Sequence, residues 1–309
     1  MLRRTLLVAA LGLGCRAVPH PVEPTAAPVV RDDAVPPGSW NEVFAEPADV
    51  EVRVEVAAHW ITTRRGLIDF KDPVTKRSGL EARPQLISLL VGVIRHPEHG
   101  DYLIDSGIDR SLAEGDSEAI RGVLDRVLET LMPVEDIASM RRRLDLDLQG
   151  VFLTHTHFDH VLGLPDIPRE VPVYVGEREV DRKGLLNALQ RRGHERVYRG
   201  RPPLAGLRTA DGIPLAPFDH AIDLFGDRSV WALPVPGHTA GSMVYLVNAR
   251  SGPVLFLGDT SHTRWGWDHG VGPGLFSEDR EQNARALDTL RMFVAAHPEI
   301  DVVVGHEFD

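Results

Sequence analysis

Short runs of apolar residues alternate along the chain with polar and charged stretches, and the period of each run indicates its secondary structure. Alternation over residues 51–57 predicts a half-buried strand, whereas the continuous apolar run over residues 86–94 predicts a central one. Further strands are predicted over residues 102–104, 151–153, 173–175, 231–235, 244–247, 254–257 and 302–304. Helical spacing is found over residues 117–132, 134–144, 176–192 and 278–296. This order of elements predicts an α/β fold.

The segment THTHFDH places three imidazoles and a carboxylate within six positions, directly after a predicted strand. His155 and His157 are two residues apart, so both side chains can point to the same side where the strand ends. Asp159 and His160 are expected in the turn that follows. Soluble proteins seldom place potential metal ligands so densely without binding a metal. The segment therefore predicts a metal site.

Three more potential ligands, His238, Asp259 and His306, each follow a short apolar run and are each preceded by glycine. Glycine suits a sharp exit from a strand and a backbone that passes close to another group. In α/β folds the binding site lies outside the carboxyl ends of the strands. We therefore expect these three side chains to collect beside the histidine-rich segment.

Five histidines and two aspartates suit zinc or a similar divalent ion, but seven ligands are too many for one tetrahedral ion. Two divalent ions, with zinc as the expected metal, fit the set better. Such ions, roughly 3.5–4 Å apart, can hold a hydroxide between them, which favours a hydrolase. One ion would be bound by His155, His157 and His238, the other by Asp159, His160 and His306, and Asp259 would bridge the two.

The motifs HTHFDH, PGHTAGS and LFLGDT and a late GH, in this order, resemble the ligand signature of the metallo-β-lactamase superfamily. The resemblance implies an αββα four-layer sandwich, with two sheets face to face between outer helices, as a single metallo-hydrolase domain over residues 46–309. Residues 89–107 and Glu179 resemble the N-acyl-homoserine lactonase branch. Lactonases of that branch typically carry a tyrosine three residues after the bridging aspartate, where this chain has His262.

The expected reaction is hydrolysis of an ester-like bond in a small molecule, with a lactone as the favoured substrate. Asp159 and Asp259 would orient the hydroxide or pass a proton to the leaving alkoxide, and His262 would assist. Trp265 and Trp267 follow at alternate positions. They could form an apolar wall for an acyl group, or they could be packing residues under a long loop.

Other functions stay open on the same set of ligands. A β-lactamase would open a cyclic amide, and a phosphoester or organophosphate hydrolase would attack phosphorus. A non-catalytic surface lipoprotein that binds metal or a ligand is an alternative of another class, which the complete set of ligands disfavours. The net charge of −11 disfavours binding to nucleic acid or to an anionic membrane surface. The sequence does not indicate an oligomeric state.

The first residues indicate export. Arg3 and Arg4 precede an apolar stretch that is too short to cross a bilayer but suits a signal peptide over residues 1–14. Cys15, the one cysteine of the chain, follows where bacterial lipoprotein signals place their lipid-modified cysteine. The alternative is an ordinary secretory signal with an incidental cysteine. Residues 15–45, rich in proline and alanine, predict a tether. We expect an exported protein that a lipid at Cys15 anchors to a bacterial membrane, on its periplasmic or cell-surface side.

Overall fold

A computed structural model describes residues 20–29, 35–115, 129–181 and 196–308. Within these ranges the strands form two sheets, one in the order β1-β8-β7-β6-β4-β3-β2-β5 and the other in the order β14-β13-β12-β11-β10-β9. The first sheet contains β1 Val22–Thr25, β2 Glu51–Thr63, β3 Pro84–His96, β4 Gly100–Ile104, β5 Met132–Pro133, β6 Leu148–Phe152, β7 Val173–Gly176 and β8 Leu204–Leu207. The second contains β9 Ile213–Leu215, β10 Phe218–Asp223, β11 Val230–Pro234, β12 Met243–Ala249, β13 Gly252–Phe256 and β14 Asp301–Val303.

Helices cover the outer faces of the two sheets. The described helices are α1 Trp40–Ala45, α2 Arg64–Leu67, α3 Pro73–Ser78, α4 Arg110–Ala113, α5 Ile137–Leu144, α6 Phe158–Val161, α7 Arg264–His269 and α8 Arg280–Ala296. The longest, α8, begins at the cap Asp279, whose side chain accepts a hydrogen bond from the backbone N–H of Gln282. Its buried residues include Leu287, Leu290 and Phe293, which recur every three to four positions and so face the second sheet.

Three clusters of buried side chains define the layers of the fold. The middle cluster lies between the sheets, where the ring of Phe152 packs 5.0 Å from that of Tyr102 and 5.5 Å from that of Tyr245. One outer cluster joins the first sheet to Met140 of α5, and the other joins the second sheet to Phe293 of α8. The result is helix, sheet, sheet and helix, so the predicted αββα sandwich is confirmed.

Strand β12 shows why some strands have apolar residues at successive positions of their sequence. All of its residues are buried. Val244 and Leu246 point into the outer cluster beneath α8, whereas Tyr245 and Val247 point into the cluster between the sheets. A strand that is covered on both faces needs apolar side chains at every position, so the alternation that marks a half-exposed strand is lost.

Two predicted helices differ from the structure at their ends. Met132, expected at the end of a helix over residues 117–132, lies in β5 and pairs with His59 of β2. The helix expected from residue 176 begins instead with the end of β7 and a 3₁₀ turn, Glu177–Asp181. Residues 129–131, also expected in the first of these helices, are not helical, and residues 117–128 and 182–192 lie outside the described residues.

The folded domain begins before residue 46, where the sequence analysis placed its start. Strand β1 pairs in parallel with β8 at the edge of the first sheet, and helix α1 buries Trp40 and Val43 in the outer cluster of the second sheet. Parts of the expected tether therefore belong to the fold. The expected signal peptide and Cys15 lie outside the described residues. Among the helices that the structure describes, none is both long and apolar enough to cross a membrane.

Replacing Trp40 with alanine tests whether this segment is part of the domain. The indole packs 5.2 Å from the ring of Trp231 and 5.2 Å from that of Phe293, and its N–H donates to the carbonyl of Leu215. We expect the substitution to lower the free energy of unfolding in urea by about 3–5 kcal/mol, as for other buried tryptophans. Met292→Ala, at an exposed position of α8, is the control and should change it by less than about 0.5 kcal/mol. Equal stability of both variants would place residue 40 outside the cooperative unit.

Candidate metal centre

The seven predicted ligands all lie at the same edge of the sandwich, just beyond the carboxyl ends of four strands. His155 and His157 lie in the loop after β6, and Asp159 and His160 lie in α6 rather than in a turn. The remaining three follow strands of the second sheet: His238 follows β11, Asp259 lies in a 3₁₀ turn after β13, and His306 follows β14.

We call His155, His157, His238 and Asp259 the first ligand group. The Nδ1 of His157 lies 2.8 Å from the Nε2 of His155 and 2.8 Å from the Nε2 of His238. The Oδ2 of Asp259 lies 3.6 Å from the Nε2 of His155 and 3.2 Å from that of His238. Three imidazole nitrogens and one carboxylate oxygen therefore converge on one point.

We call Asp159, His160, Asp259 and His306 the second ligand group. The other oxygen of Asp259, Oδ1, lies 3.3 Å from the Nε2 of His160 and 3.1 Å from the Nε2 of His306. The Oδ2 of Asp159 lies 3.5 Å from the Nε2 of His306 and 4.0 Å from that of His160. Asp259 thus offers one oxygen to each group, which is the arrangement that the sequence predicted for a bridging ligand.

The donor atoms in both groups fit divalent metal ions. Within each group the four ligand atoms lie within 4.8 Å of one another. In the second group the Nε2 of His160 and the Oδ1 of Asp259 are buried, and neither makes a hydrogen bond to any described residue. Buried polar atoms rarely go without a partner. A divalent ion that accepts nitrogen and oxygen ligands would supply one for both atoms.

Four of the ligand histidines face the site with Nε2 and make a second contact through Nδ1. The Nδ1 of His160 donates to Asp105 Oδ2 (2.8 Å), and the Nδ1 of His306 donates to the backbone carbonyl of Ser88 (3.0 Å). Hydroxyl groups serve the first ligand group: Thr154 Oγ1 lies 3.1 Å from His155 Nδ1, and Ser277 Oγ lies 3.2 Å from His238 Nδ1. Such contacts fix the ring orientation and direct the Nε2 lone pair towards a metal.

Asp105 is a site residue that the ligand search in the sequence missed. Its Oδ1 accepts a hydrogen bond from the backbone N–H of Thr154 (2.8 Å) while its Oδ2 holds His160. Its φ of 61° is unusual for a residue other than glycine. A signal was present, because Asp105 follows the apolar run of β4 in the same way that the ligands follow theirs.

The buried surroundings shift the pKa values of the ligands in different directions in the two groups. Burial lowers the pKa of His155, and it lowers the pKa of His238 to about 4, so both imidazoles are neutral at pH 7. Burial alone would raise the pKa of Asp259, but the surrounding imidazoles hold it well below its ordinary value. Burial would lower the pKa of His160, but the nearby carboxylates, first Asp105, raise it well above its ordinary value. Metal binding at the second group therefore has to displace a proton.

A close approach of the backbone brings His306 to the carboxylate of Asp259, which the two ligand groups share. The residue before it, Gly305, has no room for a side chain, since an added Cβ would lie 2.8 Å from Asp259 Oδ1 and 2.7 Å from the carbonyl oxygen of Gly258. The expected close passage of the backbone at this glycine is therefore confirmed. Larger residues at this position would push β14 and its ligand away from the site.

The family model of the metallo-beta-lactamase superfamily matches residues 90–306, which is more than two thirds of the chain. The chain belongs to the metallo-beta-lactamase superfamily. It is accordingly a metal-dependent hydrolase, and the seven side chains described above are its candidate metal ligands.

Relatives with assigned names fall into several branches of this superfamily. The N-acyl homoserine lactonase AttM of Azorhizobium caulinodans is 27% identical over 221 residues, which cover 70% of this chain and 81% of AttM. The probable hydroxyacylglutathione hydrolase glo2 of Schizosaccharomyces pombe is 30% identical over 182 residues, and the match spans 58% of this chain but only 56% of glo2. The probable polyketide biosynthesis zinc-dependent hydrolase PksB of Bacillus subtilis is 26% identical over 185 residues, which cover 59% of this chain and 67% of PksB.

Solved structures support the fold of this superfamily member. An N-acyl homoserine lactone hydrolase, solved with N-hexanoyl-L-homoserine at its catalytic metal centre, superposes with a TM-score of 0.63 over 84% of this chain and 94% of that one, at 18% identity. The dizinc quorum-quenching lactonase AidC superposes with a TM-score of 0.54 over 84% of this chain and 88% of AidC, at 12% identity. At these identities the likeness shows the shared fold.

In this superfamily member His262 is buried beside the carboxylate of Asp259. Its Nε2 lies 2.9 Å from Asp259 Oδ2, and its Nδ1 lies 3.2 Å from the backbone carbonyl oxygen of Leu67. The ring also stacks on that of His306, with centroids 5.3 Å apart. Since both ring nitrogens already face acceptors, the geometry favours a role in holding Asp259. Direct assistance to a substrate oxygen stays a prediction.

The two tryptophans predicted to contact substrate differ from each other. Trp267 in α7 is buried in the outer core of the second sheet, which fits the alternative of a packing residue rather than a wall for an acyl group. Trp265 is half-buried and stacks on His269 at 4.3 Å. An aromatic ring that the sequence analysis did not single out, Phe276, lies 6.3 Å from the ring of His262 and is the better candidate for an apolar contact.

Solvent reaches the centre at His157 and Asp159, because these two ligands are half-buried and the other five are buried. A cavity of about 390 Å³ borders the loop that carries His238, but none of the seven ligands lines it. It is lined on one side by Gly241 and Ser242 and on another by Arg285 of α8. We therefore expect substrate to approach the metals from the side of His157 and Asp159.

A third group, His96, His99 and Asp227, also brings ligand-type atoms within 4.8 Å of one another. The Nδ1 of His96 accepts from the backbone N–H groups of Glu98 (3.1 Å) and His99 (3.2 Å). The ring proton must then be on Nε2, which donates to Asp227 Oδ2 (2.8 Å). Both ring nitrogens of His96 are thus in hydrogen bonds, and the group joins the two sheets as a hydrogen-bonded cluster.

Replacing Asp105 with asparagine tests the support behind the second ligand group. Asparagine keeps the size of the side chain but has no negative charge. It also has only one accepting oxygen, whereas Asp105 accepts hydrogen bonds from Thr154 with one oxygen and from His160 with the other. We expect the zinc affinity of this group, measured by competition with a chromophoric chelator, to fall about 10–100-fold. Asp101→Asn, at the other end of β4, is the matched control and should leave the affinity unchanged. An unchanged affinity in Asp105→Asn would show that the contact does not support the metal.

Proposed function

We propose that the chain is a dinuclear metal hydrolase that opens the ester bond of a lactone. The observation that carries the dinuclear part is the position of Asp259, whose two oxygens each face a complete ligand group. The lactone part is supported by the similarity to AttM, which covers most of both chains. Zinc is the proposed metal because five of the ligands are imidazoles and because the relative PksB is named as zinc-dependent.

Two divalent ions in these groups would lower the pKa of a water molecule towards ~7 and polarise the carbonyl oxygen of a substrate. The side chains around the two ions would have different roles. Asp259 is buried and fixes the spacing of the two groups. His262 holds the Oδ2 of Asp259 at 2.9 Å, which keeps the carboxylate from rotating.

Asp159 is the carboxylate best placed for proton transfer. Its side chain is 12% exposed, compared with 4% for Asp259, and it lies on the side of the centre that solvent reaches. Opening an ester leaves an alkoxide that needs a proton. A carboxylate that is both a ligand and accessible can take a proton from the attacking water and deliver it to that alkoxide.

A thioester is the second candidate substrate. The observation that favours it is the 30% identity to glo2 of Schizosaccharomyces pombe, which is named as a probable hydroxyacylglutathione hydrolase. Thioesters and lactones present the same electrophilic carbonyl to a metal centre, so the ligand geometry does not separate them. β-Lactams and phosphoesters are further substrates for the same test.

The place of action is part of the proposal. The short apolar segment after Arg3 and Arg4, followed by Cys15, supports export and attachment of a lipid. A catalytic domain held outside the cytoplasmic membrane would meet small molecules that diffuse between cells. Labelling with a radioactive or alkyne-tagged fatty acid, compared between the wild type and Cys15→Ser, tests the attachment.

Proton release during hydrolysis tests the proposed reaction directly. We expect the zinc-loaded protein to acidify a weakly buffered solution of acyl-homoserine lactones or of simple γ- and δ-lactones, and a chelator to stop the reaction. His157→Ala and Asp259→Ala each remove a ligand and should abolish turnover. His220→Ala, which removes a histidine outside both ligand groups, should retain it.

Full activity of the metal-free protein would overturn the proposal. Release of acid from a thioester but from no lactone would replace the lactone by the second candidate. If the protein with two ions bound hydrolyses no ester, lactone, β-lactam or phosphoester, a metal-binding or ligand-binding protein would be favoured.

A further inference from the structure

The first ligand group is assembled from two loops that belong to different sheets. His155 and His157 follow β6 of the first sheet, and His238 follows β11 of the second. One backbone hydrogen bond, from the N–H of Met243 to the carbonyl of Thr154 (2.8 Å), joins the two loops. Beyond that bond, contacts between side chains have to fix the imidazoles relative to one another.

Glu179 makes those contacts. Its Oε2 accepts hydrogen bonds from both the backbone N–H (3.1 Å) and the hydroxyl (2.6 Å) of Thr156, which lies between the ligands His155 and His157. Its Oε1 accepts a hydrogen bond from the hydroxyl of Thr239, the residue directly after His238. One carboxylate therefore ties together the two loops that carry the three imidazoles.

Glu179 is tightly packed against the loop that follows His238. The residue is completely buried, in the 3₁₀ turn Glu177–Asp181 that follows β7. The loop after His238 passes so near it that a Cβ added to Gly241 would lie 2.4 Å from the Glu179 backbone nitrogen. A side chain at residue 241 would force the loop away and break the contact.

The second ligand group takes its support from elsewhere. His160 is held by Asp105, and His306 is held by the backbone carbonyl of Ser88. Neither contact includes Glu179 or the two threonines that it binds. Glu179 therefore contacts the loops of the first ligand group alone, whereas Thr154, which Asp105 holds, lies beside His155 of the first group and His160 of the second.

We propose that Glu179 is a positioning residue that preforms the first ligand group and leaves the second one unaffected. The inference rests on the proposed function only in that each group binds an ion. Charge-assisted hydrogen bonds that the two loops donate to one buried carboxylate hold them at the separation that three imidazole ligands need. Loss of the charge should then weaken one metal position selectively.

The test measures zinc affinity in two backgrounds, each with one complete ligand group. His306→Ala leaves the first group complete, and His157→Ala leaves the second. Glu179→Gln keeps the size of the side chain but removes its charge and one accepting oxygen. In the His306→Ala background we expect it to lower zinc affinity at least about 10-fold. In the His157→Ala background we expect no change.

Glu177→Gln is the matched control, since Glu177 lies in the same turn but accepts a hydrogen bond from the backbone N–H of Thr209, away from the ligands. It should leave affinity unchanged in both backgrounds. Circular dichroism checks that each variant folds. If Glu179→Gln does not fold, Thr239→Val is used instead, because it removes the hydrogen bond from Thr239 to Glu179. It should likewise lower zinc affinity in the His306→Ala background and leave it unchanged in the His157→Ala background.

Equal losses in the two backgrounds, or no loss in the His306→Ala background, would overturn the role of Glu179. Because the readout is zinc affinity, this result is independent of the substrate. A wild-type chain that binds two ions but hydrolyses no lactone would contradict the proposed function and leave the role of Glu179 intact. A wild-type chain that binds no zinc would overturn both.

Discussion

The carboxylate of Asp259 is the group on which the rest of the site depends. It is almost completely buried, and a buried charge is stable only when other charges or hydrogen bonds compensate it. Here the compensation comes from imidazoles on both sides, with Oδ2 facing the first ligand group and Oδ1 facing the second. Because both ligand groups share this carboxylate, a shift of Asp259 would disturb both groups together. His262 and Gly305 both act on it, one by holding an oxygen and the other by leaving space for it.

The site also joins the two halves of the sandwich. The first sheet and the helix after it contribute His155, His157, Asp159 and His160, and the second sheet contributes His238, Asp259 and His306. Ions bound to both sets would link the sheets at one edge. The supports behind the ligands, Asp105 and Glu179, are both buried acids. Each holds a loop whose position determines the geometry of an ion.

The sequence was sufficient to single out the seven side chains that the fold brings together, because each follows a local pattern. An apolar run that ends in a glycine and a histidine or aspartate is readable without knowledge of the tertiary fold, and parallel strands bring such ends together. The role of Glu179 was not readable in this way, because its partners Thr156 and Thr239 are distant in sequence and join it only after the sheets pack. Trp267 was assigned to the site because it follows a ligand closely, but α7 turns its side chain into the core. The boundary at residue 46 was wrong for a similar reason: proline and alanine indicate a tether, yet Trp40 finds a place in the core through contacts made by distant residues.

The central claim is that Asp259 bridges two metal positions. The most direct test is X-ray diffraction from crystals of the zinc-loaded protein, measured on both sides of the zinc absorption edge. We expect two anomalous peaks per chain, roughly 3.5–4 Å apart, with one beside each oxygen of Asp259. A single peak, or two peaks of which one lies away from Asp259, would contradict it.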